Sequence, residues 1–274
     1  MKVLPGNPRW LCLCLSLLAQ LSLLSASHAQ QPALVLLIQP TQRDDITRRA
    51  FQPLLQQLEQ ATGRRFVIAT APNFLAHWDT VRRNASYDLV FDEAHFTDYR
   101  VQKFGFHVVA KVPGSSSYSL ATARATRLRS PLDLAGKKVA SFGPPGIGAM
   151  RLSAMFPNPS RHPAIIEVAS AGDGLALLKE GRVAAVMLPT ALLTDQVNNN
   201  LVNIISTAEP TLNMALSISP RIDPPTREKI RTALLRSSAT TTGHLREAGI
   251  ERFEPATAAQ YAGQARMLRD VWGY

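Results

Sequence analysis

The stretch Ser130-Pro-Leu-Asp-Leu-Ala-Gly-Lys-Lys-Val-Ala-Ser-Phe-Gly-Pro-Pro-Gly-Ile-Gly-Ala-Met150 admits few folds. Ser130 is a capping residue, Pro131 suits a first helical position and Gly136 stops the turn. Val139 to Phe142 is then an apolar run of strand length, and Gly143-Pro-Pro-Gly-Ile-Gly148 bends the backbone into a new helix near Gly148. A strand, a glycine-rich bend and a helix in succession indicate an α/β sheet. The bend sits at the strand's carboxyl end, where open sheets bind ligands and helix N-termini offer free N–H groups.

The rest of the chain keeps the same rhythm. Ala33 to Ile38 is continuously apolar, as in a strand covered on both faces. It ends in Gln39-Pro-Thr-Gln42, a turn on the expected ligand side. Asp44 and Asp45 open a helix with Ala50, Leu54, Leu58 and Ala61 on its core face and Gly63 as its stop. Pro53 within it predicts a kink or a late start. A strand at Phe66 to Ala69 and a helix from Asn73 to Arg83 follow, the helix with Phe74, Leu75, Trp78 and Val81 on its apolar side. A strand at Tyr87 to Phe91, a helix to Phe104 and a strand from Phe106 to Val112 complete a first unit with a mostly parallel sheet. Pro113 to Ser117 reads as a crossing point into a second α/β unit, which runs through the strand Leu201 to Ile205. Leu212 to Ile218 returns to the first unit, and the tail from Pro224 is helical.

Lys2 and Arg9 precede a mostly apolar run, Leu11 to Leu24, and Ser27-His28-Ala29 is a small-x-small cleavage signal before Gln30. Residues 1–29 therefore read as a secretory signal peptide. The run is short for a membrane span, and neither Cys12 nor Cys14 follows a small residue as a lipid anchor site would. With those cysteines removed the mature chain has none, which excludes disulfides and thiolate catalysis. The expected location is a bacterial periplasm. The formal charge is +10 over 274 residues; without Lys2 and Arg9 it is 28 basic against 20 acidic residues, or +8. These charges are dispersed, no stacking motif accompanies them, and an exported protein rarely meets nucleic acid. A solvated basic surface, not a nucleic-acid site, is the expectation.

Four stretches then fall in a known order: Phe51-Gln-Pro-Leu54 to Thr62-Gly63, Tyr87-Asp-Leu-Val90, Leu132-Asp-Leu-Ala-Gly-Lys-Lys-Val139, and Leu177-Leu-Lys-Glu-Gly181 with Arg182-Val183. Together they resemble the phosphate/phosphite/phosphonate (PhnD-like) periplasmic binding proteins, over about Ala33 to Phe253. The resemblance implies a type II binding-protein fold: two α/β lobes, a ligand cleft between them and two crossing hinge segments. It places residues 30–112 plus 210–274 in one lobe and 113–209 in the other. It also implies hinge closure on a small anionic or polar ligand, phosphonate- or phosphate-like, for an ABC importer. In that family the loop after the opening strand carries a Ser-Thr-Ser run at a helix N-terminus. Here Gly146-Ile147-Gly148 takes its place, keeping the N–H groups without the hydroxyls. Ala184 stands where the family usually has an acid, Ser170-Ala171-Gly172 where a histidine is expected, and Phe74 and Phe96 where tyrosines are usual.

The candidate ligand contacts are therefore Phe74, Glu93, His95, Phe96, Gly146, Ile147 and Gly148. For Asp92-Glu-Ala-His-Phe96 two readings stand. One is a helix start capped by Asp92 with His95 near the surface; the other is contact of Glu93 and His95 with an organic ligand. One histidine and two carboxylates this close, without a distant third group, do not define a metal site. His77, His107, His162 and His244 are scattered, and no nucleophile elbow, His-Glu-x-x-His or P-loop occurs. The expectation is a monomeric receptor without cofactor or catalytic set, working with an ABC permease or a membrane sensor kinase. An enzyme acting on a small organic acid in the same fold is the alternative.

Overall fold

Strand β1 (Leu34–Ile38) is apolar throughout because both its faces and both its edges are covered. The computed structural model describes residues 31–84 and 86–274; the expected signal peptide and both cysteines lie outside the described residues. After β1 come α1 (Asp44–Thr62), β2 (Phe66–Thr70), α2 (Phe74–Arg83), β3 (Leu89–Asp92), α3 (Ala94–Phe104) and β4 (His107–Lys111). A short β5 (Ser115–Ser116) leads to β6 (Tyr118–Ala123), β7 (Lys138–Ser141), α4 (Ile147–Ala154), β8 (Ala164–Glu167), α5 (Ala171–Lys179), β9 (Ala185–Pro189), α6 (Thr190–Asn198) and β10 (Val202–Thr207). The chain returns through β11 (Thr211–Leu212) to β12 (Ala215–Ile218), α7 (Pro224–Leu235), α8 (Ala239–Leu245), β13 (Glu254–Pro255) and α9 (Ala258–Tyr261).

These strands form a six-stranded sheet in the order β13-β4-β12-β3-β1-β2 and a five-stranded sheet in the order β10-β6-β9-β7-β8. The sheets are less parallel than the rhythm predicts. β1 runs parallel to β2 and β3, but β12 inserts antiparallel between β3 and β4. In the second sheet β7 is parallel to β8 and β9, while β6 pairs antiparallel with β9 and β10. The cause is the double crossing: the segment that returns from the second sheet enters the first in reverse. At the crossings β5 and β11 pair with each other, Ser116 opposite Thr211.

Local chemistry sets most element ends. Asp44 accepts a hydrogen bond from Arg48 at the start of α1, and Gly63 closes that helix at φ 72°. Asn73 caps α2 by accepting from the Ala76 N–H, 2.8 Å. Ser130 and Asp133 make a capping box around the 3₁₀ turn Pro131–Leu134. Some expectations fail at single residues. α1 begins at Asp44 and continues through Pro53, so there is no late start. Ala61 and Leu75 face outward, and His77 takes the buried place on α2.

The core has two main parts. Phe51, Leu54 and Leu58 of α1 meet Ile230 and Leu234 of α7 on one face of the six-stranded sheet. On its other face Phe74, Trp78, Phe96 and Tyr99 join one apolar cluster with Val139, Phe142, Ile147 and Leu188 of the second sheet. That continuous cluster ties the two sheets together.

Candidate ligand-binding cleft

The site is built outward from Asp92, the last residue of β3. Asp92 is completely buried and is not the cap of α3, which falls on Glu93. It receives Arg100 Nη1 and Nη2 at 2.5 and 2.7 Å, Thr97 Oγ1 at 3.1 Å, and lies 3.1 Å from His77 Nε2. Arg100 also donates to Ser217 of β12. Burial pushes the Asp92 carboxyl upward, but the Arg100 charge and the hydrogen bonds from His77 and Arg100 outweigh it and hold it below the usual range. This node anchors the turn from β3 into α3.

Glu93, the next residue, is the N-cap of α3 but points its side chain away from its own helix. Its N–H donates to Gln39 Oε1 at 2.7 Å. Its carboxyl reaches the second sheet, where Oε1 accepts from the Tyr118 hydroxyl at 2.5 Å and Oε2 from the Ile147 N–H at 3.2 Å. Ile147 is the first residue of α4, so a carboxyl group of the chain itself sits where a helix start attracts anions. Glu93 is 4 % exposed. Burial is the main influence on its acidity, opposed by these two hydrogen bonds, and raises its pKa to about 7.

His95 is buried beside it, contrary to the surface position that a simple helix start implies. Its Nε2 lies 2.9 Å from the Pro145 carbonyl, which only accepts, so Nε2 carries the proton. Nδ1 has no hydrogen-bond partner and lies 3.9 Å from Glu93 Oε2. Burial lowers the His95 pKa to about 4, so the ring is neutral.

Phe74, Phe96 and Phe142 form the wall behind this pair, with ring centroids 6.4 Å apart for Phe74–Phe96 and 5.7 Å for Phe74–Phe142. The loop glycines answer to these rings. A Cβ on Gly146 would lie 3.0 Å from Phe74 Cδ1, and one on Gly148 would lie 2.9 Å from Tyr118 Cδ1 and 3.0 Å from Ser141 Oγ. A side chain at either glycine would require the Phe74 or Tyr118 ring to shift.

Next to Glu93 lies a cavity of about 380 Å³. Its walls come from both sheets and both crossings: Gln39, Thr41 and Gln42 after β1, Ser115 to Ser117 and Asn213 at the crossings, and Tyr118, Ile147 and Thr190 from the second sheet. Among the lining residues there is one carboxyl group, Glu93, and no lysine, arginine or histidine. Of the seven expected contacts, Glu93 and Ile147 line this cavity. Phe74 borders a separate cavity of about 300 Å³ with Asn73 and Glu167. His95, Phe96, Gly146 and Gly148 lie in the packed layer between the sheets.

Sequence reasoning passed over Tyr118, Ser115 to Ser117, Thr190 and Asn213. Thr190 carried a signal, since it follows directly on the end of β9, and so did Gln39 after β1. Tyr118 carried none, because as the first residue of a strand it reads as core. Among the described residues no cluster of three or more His, Cys, Asp or Glu could hold a metal ion, and no helix is long and apolar enough to cross a membrane.

Two mixed α/β sheets, a double crossing and a cleft between them define a type II periplasmic binding protein. The chain belongs to the family described as the periplasmic substrate-binding protein of the phosphonate ABC transporter, whose pattern it matches over residues 36–261. Among solved structures, PhnD1 from Prochlorococcus marinus in complex with methylphosphonate is similar, with a TM-score of 0.72 and 15 % identity over 86 % of this chain and 97 % of that one. A binding-protein component of a phosphonate ABC transporter from Pseudomonas aeruginosa has a TM-score of 0.72 and 13 % identity, covering 86 % of this chain and 85 % of its own. A Xanthomonas citri protein bound to ATP has a TM-score of 0.66 and 16 % identity, covering 87 % and 98 %. At such identities these neighbours speak to the fold. No curated protein matches the sequence.

Proposed function

We propose that this chain captures a small polar solute in the cleft beside Glu93 and delivers it, as a periplasmic monomer, to an ABC importer. The observation that carries this reading is the cavity of about 380 Å³ walled by both sheets and both crossings, the position from which a ligand would hold the two halves together. The moving bodies would be residues 30–112 plus 210–274 and residues 113–209, hinged at the paired β5 and β11.

A second reading, a partner of a membrane sensor kinase, is favoured by one feature. Glu93 joins the two halves through Tyr118 and Ile147, contacts made by the chain's own side chains and backbone. Neighbouring permease and ATPase genes would support import, and a histidine kinase gene would support sensing.

The test is a thermal-shift screen against phosphate, phosphite, phosphonates, sulfur oxyanions, small organic acids and small ammonium compounds. A ligand at a hundred times its dissociation constant adds about 2.7 kcal/mol. For a chain of this size that raises the melting temperature by roughly 5–10 °C. If no compound shifts the transition the receptor reading fails, and turnover of a bound compound would make the protein an enzyme.

A further inference from the structure

We infer that Glu93 is a specificity-determining residue: its carboxylate fills the oxyanion seat at the start of α4 and turns the cleft against phosphonate, phosphate and similar anions. The inference deepens the receptor reading and rests on it for the location of the ligand.

The argument is geometric. Anions settle at helix N-termini because the first N–H groups lack partners within the helix. In α4 the first of these, Ile147 N–H, is directed at Glu93 Oε2, and the Tyr118 hydroxyl, 2.5 Å from Oε1, supplies a second donor to the same carboxyl. Those two donors would otherwise be free for a ligand oxyanion. A third group points the same way. His95 Nδ1, fully buried and without a partner, faces Glu93 Oε2 at 3.9 Å and presents a lone pair, because its proton is on Nε2. An oxyanion placed there would face the Glu93 carboxylate and the imidazole lone pair together.

No compensating charge is available, since no lysine, arginine or histidine lines the cavity. Gln39 fixes the backbone of Glu93 through the Glu93 N–H, and Tyr118 and Ile147 hold its carboxyl, so the carboxyl swings aside only by giving up both of those bonds. The Tyr118 ring beside Gly148 and the Phe74 ring beside Gly146 would have to shift before either position could carry a side chain. Solutes that are neutral or carry a positive charge at this end remain compatible with Glu93.

The test is calorimetric titration of the mature protein and of Glu93→Ala with methylphosphonate and with inorganic phosphate at pH 8, where Glu93 is ionised. The wild type is expected to take up neither probe. In Glu93→Ala the affinity for at least one of them should rise about tenfold to a hundredfold, as expected for recovering hydrogen bonds to an anion. Binding of either probe by the wild type at micromolar concentration overturns the inference. So does a folded Glu93→Ala protein with no gain for either probe.

Should Glu93→Ala fail to fold, Glu93→Gln replaces it. That variant keeps the shape and removes the charge, and oxyanion affinity at least tenfold above the wild type is again the supporting result. The same affinity in both proteins counts against the inference. A wild type that binds none of the screened solutes, beside a variant that gains methylphosphonate, would sink the receptor reading and leave the role of Glu93 standing.

Discussion

At the scale of single residues, the neighbouring buried carboxyls Asp92 and Glu93 have opposite consequences. The Asp92–Arg100 pair is complete: both carboxylate oxygens and both terminal guanidinium nitrogens are engaged inside the protein. Arg100→Met would leave Asp92 as a buried anion with only His77 and Thr97 beside it. The expected cost is about 3–5 kcal/mol, read as the change in unfolding free energy in urea. A loss below about 1 kcal/mol would mean that water reaches Asp92.

Glu93 behaves differently because its pKa is raised, to about 7. A raised carboxyl binds its proton more tightly in the folded state, so its contribution to stability falls as pH rises from the unfolded value toward the folded one. The buried His95 and His77 oppose it at lower pH. Their pKa values are lowered by burial, so they favour the folded state increasingly as pH rises toward 6.5. Both histidines are present in the wild type and in Glu93→Gln, so the difference between the two proteins isolates the Glu93 titration, with Tyr118 and Asp92 as its other ionisable neighbours. The stability of the wild type relative to Glu93→Gln should therefore fall as pH rises from about 4.5 to about 7. Parallel curves for the two proteins in that window would exclude a raised Glu93.

At the scale of elements, the helices that matter to the cleft are aligned by their ends. α2 starts at Asn73, whose side chain holds the Ala76 N–H, and the same first turns carry Phe74, His77 and Trp78 into the layer between the sheets. Asn73→Ala should cost about 1 kcal/mol in thermal unfolding. A neutral result would show that tertiary packing alone fixes the start of α2.

The element scale also shows what was legible in the sequence. Residue type and spacing marked where most of the longer described helices and strands lie, because burial on one or both faces leaves a periodic signature and glycines such as Gly63 and Gly105 mark helix ends, while the short β5, β11 and β13 went unmarked. The same reading misplaced Leu75, which is 53 % exposed, and the cap of α3, which falls on Glu93. Apolar spacing tells which face of a helix is greasy. It does not tell how wide the neighbour is that covers it.

At the scale of the whole molecule, the two halves are joined by two covalent crossings, a shared apolar layer and a few polar contacts. Glu93 makes two of those contacts, and His95 makes another with Pro145. Replacing Glu93 by alanine should loosen this joint. A compact chain of about 240 residues has a radius of gyration of about 18 Å. Small-angle scattering of Glu93→Ala should give a larger radius than the wild type, and equal radii would assign the joint to Phe74, Phe96, Phe142 and Ile147 alone.

What the sequence determined by itself was the α/β class, the double crossing and the family, because these follow from hydrophobic runs, turn residues and ordered local stretches. It also put Glu93 and Ile147 on one list without saying that they meet. Only the tertiary structure decided that, since Glu93 and Ile147 are 54 positions apart and lie on different sheets. The meeting depends on β12 inserting beside β3, on Asp92 locking Arg100, and on glycines admitting the Phe74 and Tyr118 rings. None of these has a periodic signature. Each is a long-range fit of shape and charge, which becomes defined only when distant parts of the chain are packed together.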